Sequence, residues 1–306
     1  MKKIFPIFIA VMLFVSACQF GGSGPGAISI PEANATLTAV APGQSDTNAT
    51  AGKTRVSPAD GMIEVFIPAG IFSMGGVDAR AAENEKPIHQ VNMPDFWIDK
   101  VEVTNALYAL CANSGACRLP QEFRSQTHDT YYGNPQYADY PVIYVTWLQA
   151  KTYCEWAGRR LPTEAEWERA ARGNDARIYP WGDQVPDASR ANFSGLVGDT
   201  ANVGSSPAGV SPFGVLDMSG NVAEWVNDIY SGTYYNSSMA VNPQGPGGLT
   251  THNYVVRGGT FQDVEADIRV SKRSSVPGSD PNALIDSAEW LGTFSPKIGF
   301  RCASNN

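Results

Sequence analysis

Glycine and proline interrupt this chain so often that long helices and long strands have no room to form. Its 306 residues include 30 glycines and 21 prolines, and short strand-like pieces alternate with turn residues between them. With 7 Trp, 12 Tyr and 13 Phe against 17% charged residues, aromatic packing has to supply much of the core. The sequence therefore predicts an irregular, loop-rich α+β domain with few short helices and strands.

Three segments nevertheless carry helix signals. Thr146 can cap a helix with a shared apolar face, and Gly158 ends it. A second helix begins at Thr163, which forms a capping box with the glutamate three residues later, and it ends at Gly173. A third, shorter helix is predicted to start at Thr104.

The N-terminus predicts export and lipid attachment. Lys2 and Lys3 precede an apolar run at residues 4–15, and a small-residue motif follows that ends on Cys18. A plain transmembrane anchor is the alternative, but the run is well short of the ~20 residues that span a bilayer. We predict a lipoprotein signal peptide at residues 1–17 and a lipidated Cys18. The protein would then be attached to a membrane of the bacterial cell envelope, at the outer face of the cytoplasmic membrane or in the outer membrane.

Composition separates a tether from a folded domain. Residues 18–57 are rich in Gly, Ala, Pro, Ser, Thr and Asn and have almost no large apolar side chains, which predicts a flexible linker. Residues 62–68 alternate like a strand. Because no second linker or internal repeat follows, we predict a single domain at residues 58–304.

The cysteines predict two disulfides. Five cysteines leave one unpaired in an exported protein, and assigning Cys18 to lipidation leaves four. Cys111 and Cys117 bracket a short loop and are expected to pair locally, so Cys154 pairs with Cys302 by elimination. Such a crosslink contributes about 4 kcal/mol in the chain-entropy model. The alternative, two free buried thiols, is disfavoured in an oxidising compartment.

Charge and histidine content exclude several kinds of function. The net charge of −8 and the absence of Lys/Arg clusters argue against nucleic-acid binding and suit divalent cations better. The three histidines, His89, His128 and His252, show no zinc or iron ligand spacing. No nucleophile elbow or phosphate loop supports a hydrolase or nucleotide-binding function.

Five motifs together resemble the formylglycine-generating enzyme, or sulfatase-modifying factor, family. In chain order they are GRRLPTEAEWE at residues 158–168, YPWG at 179–182, DMSGNVAEW at 217–225, VVRGGTFQDVEADIR at 255–269 and IGFRC at 298–302. The resemblance runs from about Met62 to Cys302 and implies a complex C-type-lectin-like fold. The Cys154–Cys302 pairing also matches a disulfide position in that family.

The resemblance also implies that the family's chemistry is missing. Its active members bind copper(I) through two cysteines five residues apart and oxidise a substrate cysteine, and those positions fall on Asp263 and Ile268 here. Because copper(I) selects soft sulfur ligands, neither copper nor catalysis is expected. We therefore predict a noncatalytic binding or scaffold module. The alternative is a formylglycine-generating oxidase, or an accessory factor in maturation of envelope enzymes such as sulfatases.

Calcium is the cofactor that the resemblance implies. The first site takes the side chains of Asp217 and Glu224 and the backbone carbonyls of Gly220 and Val222. The second takes the side chains of Asn192 and Asp199 and the backbone carbonyls of Phe193 and Ala201. Carboxylate, amide and carbonyl oxygens form a hard-oxygen set that suits Ca²⁺. Without the resemblance, the first segment would be interpreted as a Gly-Asn turn with solvated acids.

A recognition surface is predicted at two loop stretches, residues 230–238 and 276–297. Tyr234 and Tyr235 belong to the first stretch, and Tyr, Ser, Gly and Asn on loops form adaptable binding surfaces, although ordinary loop packing explains them equally well. Arg269 and Arg273 line a ligand groove by resemblance, or else they pair with Asp267 or Glu265. The expected partner is an extracytoplasmic protein, peptide or glycan.

Overall fold

The computed structural model describes residues 52–247, 252–280 and 282–305. The predicted signal peptide, Cys18 and most of the predicted linker lie outside the described residues. The strands are β1 (Thr54–Val56), β2 (Ile63–Ile67), β3 (Gly70–Met74), β4 (His89–Met93), β5 (Phe96–Asp99), β6 (Ala223–Ile229), β7 (Asn253–Arg257), β8 (Ser274–Pro277), β9 (Ile298–Phe300) and β10 (Ala303–Ser304). The helices are α1 (Asn105–Asn113), α2 (Trp147–Trp156), α3 (Glu164–Arg172) and α4 (Ala288–Leu291). None of the helices within these ranges has the length and apolarity to span a bilayer.

The strands form two four-stranded sheets and a hairpin. We call the first the terminal sheet, in the order β1-β2-β5-β10, and the second the central sheet, in the order β8-β7-β6-β9. β3 and β4 form a separate antiparallel pair. In the central sheet β6 runs parallel to β9 and antiparallel to β7. The architecture is α+β with short elements and many loops, as the sequence predicted.

The folded part begins before the predicted boundary at residue 58. β1 pairs with β2 in antiparallel register, with Thr54 opposite Val65. Arg55 of β1 donates hydrogen bonds to Glu64 at 2.9 Å and to Ser304 of β10 at 2.7 Å. Residues 54–56 therefore belong to the terminal sheet and not to the linker.

The three predicted helices are confirmed with their caps. The Thr146 and Thr163 hydroxyls each accept a hydrogen bond from the backbone three residues later, and both capping boxes are complete. The Thr104 hydroxyl caps α1 by accepting a hydrogen bond from the Leu107 N–H at 3.2 Å. Gly158 and Gly173 have φ values of 72° and 79°, which glycine adopts at no steric cost, at or just beyond the ends of α2 and α3. The short helix α4 had no sequence prediction.

The inner strands of the central sheet, β6 and β7, are mostly buried and pack against other elements on both faces. Alternate β6 side chains point to opposite sides, so Trp225 packs with α2 while Val226 packs with α3. On the α2 side, the Trp147 ring stacks on Tyr254 with centroids 3.9 Å apart. On the α3 side, Trp167 packs against Val226. The two helices thereby hold the central sheet in position from opposite sides.

Both predicted disulfides are confirmed. Cys111 is bonded to Cys117, and Cys154 of α2 is bonded to Cys302 next to β9. Every cysteine among the described residues is therefore oxidised, and none of them offers a thiolate.

Candidate functional site

A groove of about 410 Å³ lies on one face of the central sheet. All four strands contribute an apolar residue to it: Ala223 from β6, Val256 from β7, Val276 from β8 and Ile298 from β9. Polar side chains surround this apolar part, and they are Thr260, Asp263, Asp267, Lys272, Ser274, Ser295 and Lys297. Seven polar residues against four apolar ones make the groove more polar than the mainly apolar lining that is usual for small-molecule sites.

Two glycines turn the chain from β7 into the groove wall. Gly258 and Gly259 have φ values of 93° and 72°. A Cβ on Gly259 would lie 2.7 Å from the Asp267 carbonyl oxygen, so the close approach of the two backbones requires glycine. Phe261 continues the turn and donates its N–H to the Asn221 carbonyl at 2.8 Å. The turn thereby places the loop that holds Asp263 and Asp267.

The two positions assigned to catalytic cysteines by resemblance have different environments. Asp263 is half-buried and lines the groove, and its Oδ2 accepts a 2.8 Å hydrogen bond from the Thr260 N–H. Ile268 is fully buried and packs against Tyr179 and Ala191 in a small apolar cluster. Only the first position therefore faces the groove.

The groove contains four charged side chains. Lys272 pairs with Asp267, with Nζ 2.6 Å from Oδ1. Within the described ranges, neither the Asp263 carboxylate nor the Lys297 ammonium takes part in an ion pair. The groove therefore has one compensated pair and two uncompensated charges of opposite sign.

The prediction that Arg269 and Arg273 line a groove was wrong. Both are 2% exposed. Arg269 donates two hydrogen bonds to Glu85, at 2.7 and 2.8 Å, and Arg273 donates two to Glu164, at 2.7 and 2.9 Å. The alternative partners named from the sequence, Asp267 and Glu265, are not the ones used. Folding buries both guanidiniums against acids from distant segments, because a buried guanidinium needs a carboxylate partner.

Tyr234 and Tyr235 are buried as well, which corrects their assignment to the groove. The Tyr235 ring lies against the Arg273 guanidinium, whose central carbon is 4.0 Å from the ring centroid, and Tyr234 packs in the cluster that includes Phe72. The stretch 230–238 contributes nothing to the groove, whereas the stretch 276–297 contributes Val276, Ser295 and Lys297.

The first predicted calcium segment includes one partner of a buried ion pair, Glu224, and the other partner is Arg301. Arg301 holds the Glu224 carboxylate with hydrogen bonds of 2.6 and 2.8 Å, and Trp167 donates a third at 2.9 Å. Asp217 has φ 56° and accepts a hydrogen bond from the Gly204 N–H at 2.5 Å. Gly220 is so close to the second segment that a Cβ would lie 2.3 Å from the Asn192 carbonyl oxygen. Val222 is fully buried next to this turn.

Glu102 completes this cluster and was not recognised in the sequence. Its Oε1 accepts a 2.9 Å hydrogen bond from Asn221, while its buried Oε2 has no partner among the described residues. Burial and the charge of Asp217 raise the pKa of Glu102 well above its usual value, and burial also raises the pKa of Asp217. The carboxylates of Glu102, Asp217 and Glu224 therefore face one guanidinium, that of Arg301, and the excess charge requires protons or a cation.

The second predicted segment is adjacent. Asn192 donates to the Asp199 carbonyl at 2.8 Å, and its buried Oδ1 has no partner within the described part of the chain. Burial opposes ionisation of Asp199, but hydrogen bonds from Ser125 and Thr127 hold its pKa below the usual value. The carbonyls predicted as ligands accept weak or local hydrogen bonds, that of Phe193 from Leu196 at 2.9 Å and that of Ala201 from Asn221 at 3.4 Å.

A calcium ion at either segment would need amide and carbonyl oxygens in addition to carboxylates. Among residues 52–247, 252–280 and 282–305, no group of three or more His, Cys, Asp or Glu side chains is arranged to hold a metal. The unpartnered oxygens of Glu102 and Asn192 and the surplus negative charge are what a hard cation would satisfy. The two segments are in contact through Gly220 and Asn192. A cation bound at one segment would therefore also restrain the backbone of the other.

Comparisons with known proteins agree with this fold. Residues 47–306 match the sulfatase-modifying factor enzyme 1-like domain. A formylglycine-generating enzyme of Streptomyces coelicolor is 32% identical over 294 residues, covering 79% of this chain and 89% of that protein. The structure of PvdO from Pseudomonas aeruginosa superposes with a TM-score of 0.68 at 25% identity, covering 85% of this chain and all of that one.

A longer relative shows the same domain in another context. The serine/threonine-protein kinase pkn1 of Chlamydia pneumoniae is 37% identical over 253 residues, or 79% of this chain. The chain spans only 38% of the length of that relative. The similarity therefore describes the domain and not the kinase as a whole.

Proposed function

This chain belongs to the family of sulfatase-modifying factor enzyme 1-like domains, and from that premise we propose that it is a noncatalytic, calcium-stabilised binding module. Its ligand occupies the groove of the central sheet. The single observation that carries the proposal is that Asp263, at the position assigned to a catalytic cysteine, lines the groove and holds a carboxylate there.

The chemistry at the groove supports binding in preference to oxidation. Copper(I) requires thiolate ligands, and neither Asp263 nor the buried Ile268 supplies one. The four cysteines of the described residues are held in disulfides, Cys111 with Cys117 and Cys154 with Cys302.

We place this module in the bacterial cell envelope, attached to the membrane through Cys18 and reaching an extracytoplasmic protein, peptide or glycan. Two disulfides in one domain are typical of oxidising compartments, which supports export. The long polar segment before the domain is suited to a tether.

The alternative is a formylglycine-generating oxidase or an accessory to maturation of envelope enzymes such as sulfatases. The observation that favours it is the similarity to the Streptomyces coelicolor enzyme across 89% of that protein. On this alternative the chain would convert a peptide thiol to an aldehyde through ligands other than cysteine.

The groove can be tested by blocking it. Ser274 lines the groove, whereas its neighbour Ser275 does not, and both are exposed on β8. We expect Ser274→Trp to abolish capture of at least one envelope component that the wild-type full chain retains, because an indole would occupy the groove. Ser275→Trp is the matched control and should capture the same component. The measurement is affinity capture from bacterial envelope extract, with identification by mass spectrometry.

Two outcomes would contradict the proposal. Identical capture by wild type and Ser274→Trp would remove the groove as the binding site. Detection of an aldehyde on a Cys-x-Pro-x-Arg peptide, after incubation of the full chain with copper(I) and oxygen, would replace the noncatalytic function with the oxidase alternative.

Calcium stabilisation is the second part of the proposal. The side chains of Asp217 and Glu224 would hold one cation, and those of Asn192 and Asp199 a second, each with neighbouring carbonyls. Glu102 would contribute its unpartnered oxygen to the first. Bound calcium would supply the positive charge that the buried carboxylates lack.

Removing calcium should lower the melting temperature. A ligand at about 100 times its Kd stabilises the folded state by about 2.7 kcal/mol, so we expect EGTA to lower the Tm by roughly 5 to 10 °C. Asp217→Asn should remove most of this shift, whereas Asp95→Asn, at an exposed acid between β4 and β5, should keep it. Differential scanning fluorimetry with and without EGTA measures it. An unchanged melting curve in the wild-type chain would exclude a stabilising calcium.

A further inference from the structure

The loop that precedes α4 carries two adjacent aliphatic side chains, Leu284 and Ile285, on its surface. They are 84% and 71% exposed, the highest values among the large apolar side chains of the described residues. We propose that this pair inserts into the surface of a lipid bilayer with zwitterionic headgroups. The inference rests on the proposed membrane attachment through Cys18 and extends it, because it adds a second contact between the protein and the membrane.

Backbone hydrogen bonds hold the two side chains at the tip of a closed loop. The Asp280 N–H donates to the Glu289 carbonyl at 2.7 Å, which brings the two ends of the loop together. Within the loop, the Ser287 N–H donates to the Leu284 carbonyl at 2.9 Å, and the Ser287 hydroxyl caps α4. Leu284 and Ile285 lie midway along the chain between the joined ends, and their exposure shows that neither side chain is packed on the domain.

The base of the loop is fixed by polar and aromatic contacts. Ser279 Oγ donates to the Leu291 carbonyl at 2.8 Å. The Arg118 guanidinium lies over the Trp290 ring, with its central carbon 4.6 Å from the ring centroid, and it also pairs with Asp286. Trp290 is half-buried, and its amphipathic ring is of the kind enriched where membrane meets water. A fixed base below an apolar tip allows insertion without rearrangement of the domain.

The charges on the loop favour zwitterionic lipids over anionic ones. Residues 282–290 contain no lysine or arginine. Asp286 is compensated by Arg118, and the carboxylate of Asp280 lies 3.3 Å from His252. Attraction to an anionic leaflet requires a cluster of basic side chains, and the loop has no cationic surplus. The apolar side chains of the tip therefore have to supply the binding free energy.

The predicted tether is the reason to expect a bilayer at this tip. About 34 residues separate Cys18 from the first described residue, Gly52, and a flexible linker of that length has an end-to-end distance of roughly 30 Å. A domain attached through Cys18 would stay close to the membrane at all times, whereas a soluble partner has to be captured from solution. Insertion then removes exposed aliphatic surface from water, which is favourable.

Fluorescent probes at the tip test the inference in the full chain, reconstituted in vesicles of phosphatidylethanolamine and phosphatidylcholine. Leu284→Cys and Ile285→Cys are labelled separately with nitrobenzoxadiazole, and Val185→Cys, 70% exposed on another loop, is the matched control. The measurements are the emission maximum and its quenching by lipids that carry a nitroxide on the acyl chain. We expect a blue shift and quenching at positions 284 and 285, at low and at high salt, and neither at position 185.

A charge placed at the tip provides a second readout. In the chain labelled at position 284, Ile285→Asp should lower the ratio of inserted to free tip at least about tenfold, because an aspartate carboxylate is costly to transfer into a bilayer. Val185→Asp in the same labelled chain is the control and should leave the ratio unchanged. Equal quenching with and without Ile285→Asp would contradict insertion of the aliphatic pair.

The outcomes separate this inference from the proposed attachment. If the chain carries a lipid at Cys18 and shows no quenching at positions 284 and 285, or equal quenching at position 185, the inference alone is wrong. A blue shift at the tip without quenching by the lipids would mean that protein covers it, either a second copy or a partner, and would also overturn the inference. Mass spectrometry that finds no lipid on Cys18 would contradict the attachment, and the inference with it.

Discussion

Replacing Arg301 by methionine is expected to lower the free energy of unfolding by about 3 to 5 kcal/mol. Arg301 is fully buried and binds both oxygens of Glu224, and it also donates to the carbonyls of Asp99 and Leu216 at 3.0 and 2.9 Å. Its removal leaves Glu224 as an unpaired charge next to the already unbalanced Glu102. Urea denaturation followed by tryptophan fluorescence should show a lower midpoint with an unchanged slope.

The control for this effect is an ion pair on the protein surface. Lys151 pairs with Glu155 on the surface of α2, with side chains 35% and 56% exposed. Lys151→Met should cost less than about 1 kcal/mol, because solvent screens an exposed pair. Equal losses in the two variants would mean that the buried cluster contributes no more than a surface pair.

Replacing Gly220 by alanine should cost at least about 3 kcal/mol, since two penalties add. Gly220 has φ 78°, and a Cβ would lie 2.3 Å from the Asn192 carbonyl oxygen. The turn cannot easily move away from Asn192, because the Gly220 N–H donates a hydrogen bond to the Gly258 carbonyl at 2.9 Å. We expect a lower Tm and a smaller calcium-dependent shift, both measurable by scanning fluorimetry.

Gly61 separates the two penalties. It has nearly the same backbone angle, φ 80°, but no atom lies within 4 Å of the position that a Cβ would take. Gly61→Ala should therefore show only the left-handed backbone cost of about 1 kcal/mol. A loss in Gly220→Ala no larger than in Gly61→Ala would show that the two predicted calcium segments are not in tight contact.

Local signals predicted the elements that depend on neighbouring residues. The caps at Thr146 and Thr163 act over three residues, so the sequence contains everything that α2 and α3 need to begin. Residues 62–68 alternate, and β2 forms within them. The strand β1 was missed because its three residues show no strand pattern of their own, and its contacts are with β2 and with Ser304 at the far end of the chain.

The interior ion pairs could not be predicted, because their partners are far apart in the chain. Arg269 and Glu85 are separated by 184 residues, and Arg273 and Glu164 by 109. The sequence suggested acids close in the chain, Asp267 and Glu265, as the partners of these arginines. In the folded protein their partners are acids from distant segments. Glu102 was missed for the same reason, since Asn221 of the first predicted calcium segment, which donates a hydrogen bond to it, is 119 residues away in the chain.

The groove was predicted in part. The family resemblance indicated Asp263, and the loop composition included Lys297 in a candidate surface. Lys272 and Ser274 were not recognised, because the groove crosses strands in the order β8-β7-β6-β9, which differs from their order along the chain. The strand order decides which side chains meet, and no local pattern encodes it.

The contact between Arg55 and Ser304 has a practical consequence. β1 and β10 are the edges of one sheet, three strand spacings or about 14 Å apart, and the 2.7 Å hydrogen bond bridges them. A domain whose first and last strands lie in the same sheet can be inserted into a surface loop of a host protein through short spacers. The groove belongs to the other four-stranded sheet, so such a chimera would display it intact.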